Sequence, residues 1–186
     1  MTDKITLKTK VRLMDEATVN RTLMRLSYEI IEKNPDTANV ALVGIETRGY
    51  PMAEILRNNI RKNTGIELPL GSINIKYYRD DLEKIADNPE LRKADLPFSV
   101  DGRHIILVDD VLYTGRTVRA AIDALFDLGR PSKVSLAVLV DRGHRELPIR
   151  PDYVGKNVLT SHNEVISVHF DSVDGMTNVE IREKEA

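Results

Sequence analysis

The sequence predicts an α/β fold in which helices flank a central, mostly parallel sheet. Three observations carry this expectation. Residues 39–45 (NVALVGI), 104–108 (HIILV) and 133–140 (KVSLAVLV) are continuous apolar runs rich in β-branched residues, the pattern of strands buried on both faces. Amphipathic helical segments lie between the runs, so strand, helix and strand alternate. Each run also ends in a polar loop: ETRG after the first, DDVLYTGRT after the second, DRGHREL after the third. In parallel sheets, ligands bind outside these carboxyl ends.

The elements follow in chain order. MDEATVNRTLMRLSYEIIEKNP (14–35) reads as a helix, capped by Asp15 and stopped by Pro35. Its apolar stripe is Val19, Leu23, Leu26, Ile30 and Ile31, with Arg21, Arg25 and Tyr28 largely off it. A second helix is expected from about Pro51 to Lys62, with the proline in its first turn. GSINIKYY (71–78) alternates like a strand. Residues 79–103 are highly charged and weakly periodic, which suggests a lid or binding loop. TVRAAIDALFDLG (117–129) is a helix with Val118, Ile122, Leu125 and Phe126 on one side, closed by Gly129 and Pro131. DRGHRELPIRPDYVGKN (141–157) reads as a charged loop, and short strands are expected near 165–170 and 177–182.

The 186 residues suit one domain, and 41% hydrophobic residues can fill a core. A net charge of −2 argues against bulk nucleic-acid binding but leaves room for a local basic face. With no cysteine, disulfides, thiolate metal sites and cysteine nucleophiles are excluded. No apolar run approaches a membrane span, and MTDKITLKTK lacks the apolar core of a signal peptide, so a cytoplasmic protein without membrane contact is expected.

The chemistry concentrates in IILVDDVLYTGRT (105–117). Asp109 and Asp110 end a strand. Thr114, Gly115, Arg116 and Thr117 then run into a helix N-terminus, where unpaired N–H groups and the helix dipole favour an anion. Gly115 permits the tight turn and the threonines offer hydroxyl donors. Two carboxylates beside a phosphate make sense if they accept hydrogen bonds from sugar hydroxyls or lie near Mg2+. The inferred ligand is a sugar phosphate. There is no G-x-x-x-x-G-K-[ST] and no G-x-G-x-x-G, which argues against a P-loop nucleotidase and a dinucleotide site.

This stretch resembles the 5-phosphoribosyl-1-pyrophosphate (PRPP) motif of type I phosphoribosyltransferases. With YYRDDL (77–82), GRPS (129–132) and LAVLVDRGHRELPIR (136–150), the chain from about residue 12 onward is similar to the bacterial pyrimidine-operon attenuation regulators that carry uracil phosphoribosyltransferase activity. The resemblance implies a single type I phosphoribosyltransferase domain over 1–186, with a mobile lid at about 78–103. It also implies a small hood made from the N-terminal segment and about 141–157. It implies catalytic roles for Asp109, Asp110 and Arg48. Thr47, Arg48 and Gly49 would hold pyrophosphate, Asp109 and Asp110 the ribose hydroxyls, and Thr114 to Thr117 the 5′-phosphate. Tyr78 and Arg79 would begin the lid, with Val111, Leu112, Tyr113, Val140 and Arg142 as further substrate contacts. No protein-held metal is implied, but Mg2+ would arrive with PRPP, near Asp109 and Asp110.

The same resemblance implies binding of leader mRNA from pyrimidine operons under control of UMP or UTP, with Arg25, Arg145, Arg150 and Lys156 at the matching positions; Arg21, on the polar side of the first helix, and Tyr28 are further candidates for RNA contact. It implies a homodimer or homotetramer. Met24 and Tyr28 depart from the family pattern, where a small hydroxyl residue and a histidine are expected; Tyr28 can still stack on an unpaired base. A uracil salvage enzyme with little RNA binding is therefore the alternative reading, and salvage of a purine base is a third. Base choice rests largely on backbone contacts of the hood.

Overall fold

The computed structural model describes residues 7–75 and 94–184. In chain order the elements are β1 (Leu7–Met14), α1 (Glu16–Lys33), β2 (Val40–Ile45), α2 (Gly49–Thr64), β3 (Leu70–Ile73), β4 (Ala94–Asp95) and β5 (His104–Leu112). They continue as α3 (Arg116–Leu128), β6 (Lys133–Asp141), β7 (Tyr153–Asn157), β8 (Glu164–His169), α4 (Asp171–Asp174) and β9 (Asn178–Lys184). No helix among the described residues is long and apolar enough to cross a membrane.

The apolar runs lie inside a six-stranded sheet of order β4-β3-β2-β5-β6-β7. All its neighbours pair parallel except β3 with β4. Every residue of β2 is buried because both sheet faces are covered. On one face, Val19, Leu23, Leu26 and Ile30 of α1 join Met52, Leu56 and Ile60 of α2 over Leu42, Ile106 and Leu139. Full burial of each such side chain is worth roughly 1.5–3 kcal/mol, so this face anchors the sheet. On the other, α3 lays Val118, Ala121 and Leu125 over Ile105, Leu107 and Val138. Small Ala120, Ala121 and Ala124 face inward there, while Phe126 is exposed, so the apolar side of α3 is rotated from the expected one. β3 does not alternate either: all four residues are buried, because both sheet faces are covered here, with Leu70 in one core and Ile73 in the other.

The chain leaves β2 towards β3, then crosses back to place β5 on the other side of β2. The carboxyl ends of β2 and β5 thus flank the topological switch point, where a crevice opens. Above it lies a separate antiparallel sheet of order β1-β9-β8.

Two expected boundaries change. Residues 94–103 are not lid: Ala94 and Asp95 pair with Ile73 and Ser72, Val100 is buried, and Leu96 and Phe98 pack on the core. The rest of the expected lid lies outside the described residues. Of the expected hood residues 141–157, Tyr153–Asn157 instead extend the main sheet in parallel with β6. The overlying sheet pairs the N-terminal strand with β9, and β9 with β8.

Helix α1 also braces the last strand. Arg25 Nη2 donates to the carbonyls of Val154 (3.2 Å) and Gly155 (2.7 Å). Lys33 Nζ donates to the Asp152 carbonyl at 3.1 Å and lies 4.8 Å from the centre of the Tyr153 ring.

Candidate active site

The carboxyl end of β5 supplies the paired acids. Asp109 is buried, and its Oδ1 accepts the Asp110 amide at 2.9 Å; the Asp110 Oδ1 accepts the Val111 amide at 2.9 Å. These bonds fix both carboxylates against the backbone. Burial pushes the Asp110 carboxyl above the ordinary aspartate range, against the opposing pull of Asp109, its own backbone contacts and the Arg48 charge.

Three residues later the strand becomes a helix. Gly115, at φ 96°, is the N-cap of α3, a left-handed conformation that favours glycine. The N-cap glycine has no side chain to cap the helix, so the amides after Arg116 face the loop as an anion would require. Thr114 Oγ1 accepts the Arg116 amide at 3.3 Å. A cavity of about 370 Å3 follows, lined by Val111 to Val118 and Glu146. Glu146 takes Arg116 Nε at 2.8 Å, and its amide donates to the Thr114 carbonyl at 3.0 Å, which ties the loop after β6 to the cradle.

The loop after β2 brings Arg48 and Gly49 to the same crevice. The Glu46–Thr47 peptide bond is cis. A Cβ on Gly49 would lie 2.2 Å from the Val108 carbonyl oxygen, so only glycine lets α2 begin this close to β5. Arg48 forms a two-point pair with Asp174 of α4: Nη2 to Oδ1 at 2.8 Å and Nε to Oδ2 at 3.3 Å. Hydrogen bonding to Asp174 raises the Arg48 pKa despite partial burial, and the Asp110 charge adds to the effect. Burial alone would raise the Asp174 carboxyl, but Arg48 and the Phe170 amide hold it below the usual range.

The loop after β6 forms the far wall. Arg142 is buried, which lowers its pKa. Its Nε donates to Thr160 Oγ1 (3.0 Å), its Nη2 to the Ser161 carbonyl (3.1 Å), and its guanidinium stacks 4.0 Å from the Tyr113 ring centre. His144 Nε2 lies 2.6 Å from the Thr160 carbonyl, and its ring lies 4.1 Å from that of His162. The site is thus closed on this side by the segment before β8.

Asp109, Asp110, Arg48, Gly49, Val111 to Thr117 and Arg142 therefore border one crevice, while Thr47 lines a neighbouring cavity with Tyr50, Glu54 and Val173. Leu112 and Val140 are buried in the core, so only their backbone atoms can reach a ligand. Tyr78 and Arg79 lie outside the described residues. Asp174, Glu146, Thr160 and His162 escaped the sequence reading because each is far in sequence from the residue it serves. The only available signal was that DSVDGM (171–176) is acidic between two strands.

The expected RNA residues divide into two sets. Arg21, Arg25 and Tyr28 share one exposed face of α1 at i, i+4 and i+7, and Arg25 also pairs with Glu29. Arg150 and Lys156 are exposed. Arg145 is committed inward: Nη2 to both Asp141 oxygens (2.7 and 2.6 Å), Nη1 to the Tyr113 carbonyl (2.5 Å) and Nε to the Ile149 carbonyl (2.9 Å). It organises the loop, and an RNA phosphate would compete with these bonds. The Met24 sulfur accepts Asn63 Nδ2 at 3.0 Å, a bond between α1 and α2.

Comparison with known proteins agrees with this geometry. The family described as "Phosphoribosyl transferase domain" matches residues 13–172. A "Bifunctional protein PyrR" of Thermus aquaticus is 54% identical over 179 residues, covering 96% of this chain and 99% of the relative. One of Clostridium beijerinckii is 52% identical over 178 residues, covering 96% and 100%. Among solved structures, the hypoxanthine phosphoribosyltransferase of Trypanosoma cruzi aligns with a TM-score of 0.72 at 17% identity, covering 95% of this chain and 98% of that one. A hypoxanthine-guanine phosphoribosyltransferase of Bacillus anthracis aligns at 0.70 and 16%, covering 96% and 99%. At these identities the structures speak for the fold alone. The paired acids on β5, the cradle at α3 and the near-complete match to PyrR proteins place the chain in the phosphoribosyltransferase family, within its bifunctional PyrR group.

Proposed function

We propose that the protein transfers the 5-phosphoribosyl group of PRPP to uracil, giving UMP and pyrophosphate. We propose further that a uridine nucleotide in the same cleft governs binding to pyrimidine-operon leader RNA. The observation that carries the first half is the cradle: a helix N-terminus opened by Gly115 in the left-handed conformation, next to two backbone-fixed carboxylates and facing Arg48.

The residues divide the work as follows. Thr114, Thr117 and the first amides of α3 hold the 5′-phosphate. Asp109 and Asp110 accept hydrogen bonds from the ribose hydroxyls. The C1′–O bond to pyrophosphate breaks as the C1′–N bond to uracil forms, and the ring nitrogen's proton leaves. Positive charge develops on the ribose near the two carboxylates, while Arg48 faces the departing negative charge. Uracil's ring nitrogen is acidic enough that positioning can supply most of the acceleration. Among the described residues no cluster of three or more His, Asp or Glu forms a metal cage. Two carboxylates fit Mg2+ carried on the substrate, so Asp109 and Asp110 would hold it together with PRPP oxygens. When bound, it neutralises the leaving pyrophosphate.

For RNA, the α1 face with Arg21, Arg25 and Tyr28, together with Arg150 and Lys156, offers cations and one stacking ring. A homodimer or homotetramer would join such faces into a wider basic surface. The inward commitment of Arg145 and the bond between Met24 and Asn63 favour a second reading, a uracil phosphoribosyltransferase with weak RNA binding. The deciding experiment measures binding of a labelled pyrimidine-operon leader hairpin and a control RNA, with and without UMP, at two salt concentrations. UMP formation from uracil and PRPP is measured alongside. UMP-dependent, sequence-selective binding is expected; weak binding that vanishes with salt and ignores UMP would leave the enzyme alone.

A further inference from the structure

β8 is held at both ends by arginines from sheet-end loops. Before it, Arg142 from the loop after β6 grips Thr160 and Ser161. After it, Arg48 from the loop after β2 grips Asp174. The crevice lies between these two grips. We propose that Asp174 is a positioning residue: it holds the Arg48 guanidinium ready for the pyrophosphate end of the substrate and couples the overlying sheet to that step. This rests on the phosphoribosyl-transfer reading and deepens it.

Asp174 is suited to the task because it is itself held. Its Oδ2 accepts the Phe170 amide at 3.0 Å, and its own amide donates to the Phe170 carbonyl at 2.7 Å. The His169 Nδ1 lies 3.6 Å from Oδ1. The Asp174 side chain is 15% exposed and that of Arg48 36%, so a fixed, enclosed anion orients a more open cation. The side-on pair occupies Nε and Nη2 of Arg48. A guanidinium carries five N–H donors in one plane, so both hydrogens of Nη1 stay available for a ligand oxygen. An arginine of this exposure would otherwise lose rotamer freedom on meeting the anion; here that ordering is complete beforehand. The Asp110 charge, from the end of β5, also acts on Arg48.

The test uses the full chain and D174A, D174N, R48A and the R48A/D174A double variant. Two readouts are taken: kcat/KM for PRPP and for uracil in UMP formation, and calorimetric binding of inorganic pyrophosphate with Mg2+. For D174A, kcat/KM for PRPP and pyrophosphate affinity are each expected to fall about tenfold, with KM for uracil within about twofold. D174N, which keeps an acceptor oxygen, should recover part of the loss. In the R48A background the Asp174 substitution should have no further effect, because Asp174 acts through Arg48. An equal loss in that background would show general damage to the overlying sheet and overturn the proposal. So would unchanged pyrophosphate binding, or tighter binding, which would make Asp174 a competitor of the anion. If the native protein binds pyrophosphate in the expected pattern but makes no UMP, only the uracil reading fails. If it binds no pyrophosphate, both fail.

Discussion

Replacing Gly49 by alanine would place a methyl carbon 2.2 Å from the Val108 carbonyl oxygen and 3.2 Å from the Asp109 Cα. A relaxed carbon–oxygen contact needs about 3.3 Å, so the start of α2 must retreat by roughly 1 Å. Both obstacles are backbone, and no side chain can swing aside. Overpacking of this kind costs about 1–3 kcal/mol. For a chain of this size each kcal/mol moves Tm by roughly 2–4 °C, so calorimetry should record a fall of about 2–12 °C. Most molecules stay folded at 25 °C, since domains have roughly 5–15 kcal/mol in reserve. Arg48 and Thr47 nevertheless move with the helix, and a misplacement near 1 Å costs on the order of a hundredfold in rate. Steady-state UMP formation at 25 °C should therefore fall far more than the folded fraction does. A lowered Tm with native kcat/KM would refute the claim that this contact sets the loop after β2 proposed to hold pyrophosphate. A native Tm would refute the packing argument itself.

Three further outcomes are expected. Because burial raises the Asp110 carboxyl, its stabilising share is complete below the ordinary value of 3.8 and is lost as pH rises through the raised value. Asp110→Asn should therefore raise Tm at pH 7, while abolishing most UMP formation. Asp174 has the opposite sign: its lowered carboxyl contributes stability above 3.8 that disappears as pH falls through the folded value, so Asp174→Asn should flatten the acid limb of a Tm–pH profile. Lys156→Ala should weaken leader-RNA binding for all sequences alike and reduce the slope of log K against log salt by about 0.7–0.9, measured by fluorescence anisotropy.

The buried strands were legible because each has neighbours on both faces, and such strands cannot avoid an uninterrupted apolar run. Helix α1 was legible from its stripe, and Asp15 does cap it, accepting the Thr18 amide at 2.8 Å. β1 was missed because LKTKVRLM is largely exposed and only its pairing with β9 makes it a strand. β7 was hidden in a charged segment, since YVGKN has no pattern of its own and follows β6. The expected lid that runs on into residues 94–103 and the expected hood that runs on into β7 have the same cause: long charged stretches look alike whether they end free or dock on a core. In the site, the cradle could be read because strand, acids, turn and helix are consecutive. The Arg48–Asp174 pair spans 126 residues and the Arg145–Tyr113 bond 32, so neither leaves a local trace.

The bracing of β7 by α1 has a consequence for how molecules of this protein meet one another. The last strand of an open sheet offers unpaired peptide groups to any passing strand. Here the carbonyls of Asp152, Val154 and Gly155 are taken up by the long cations of Arg25 and Lys33. A foreign strand would have to displace two hydrated charges before adding to this margin, and so the basic face of α1 also guards the chain against edge-to-edge aggregation.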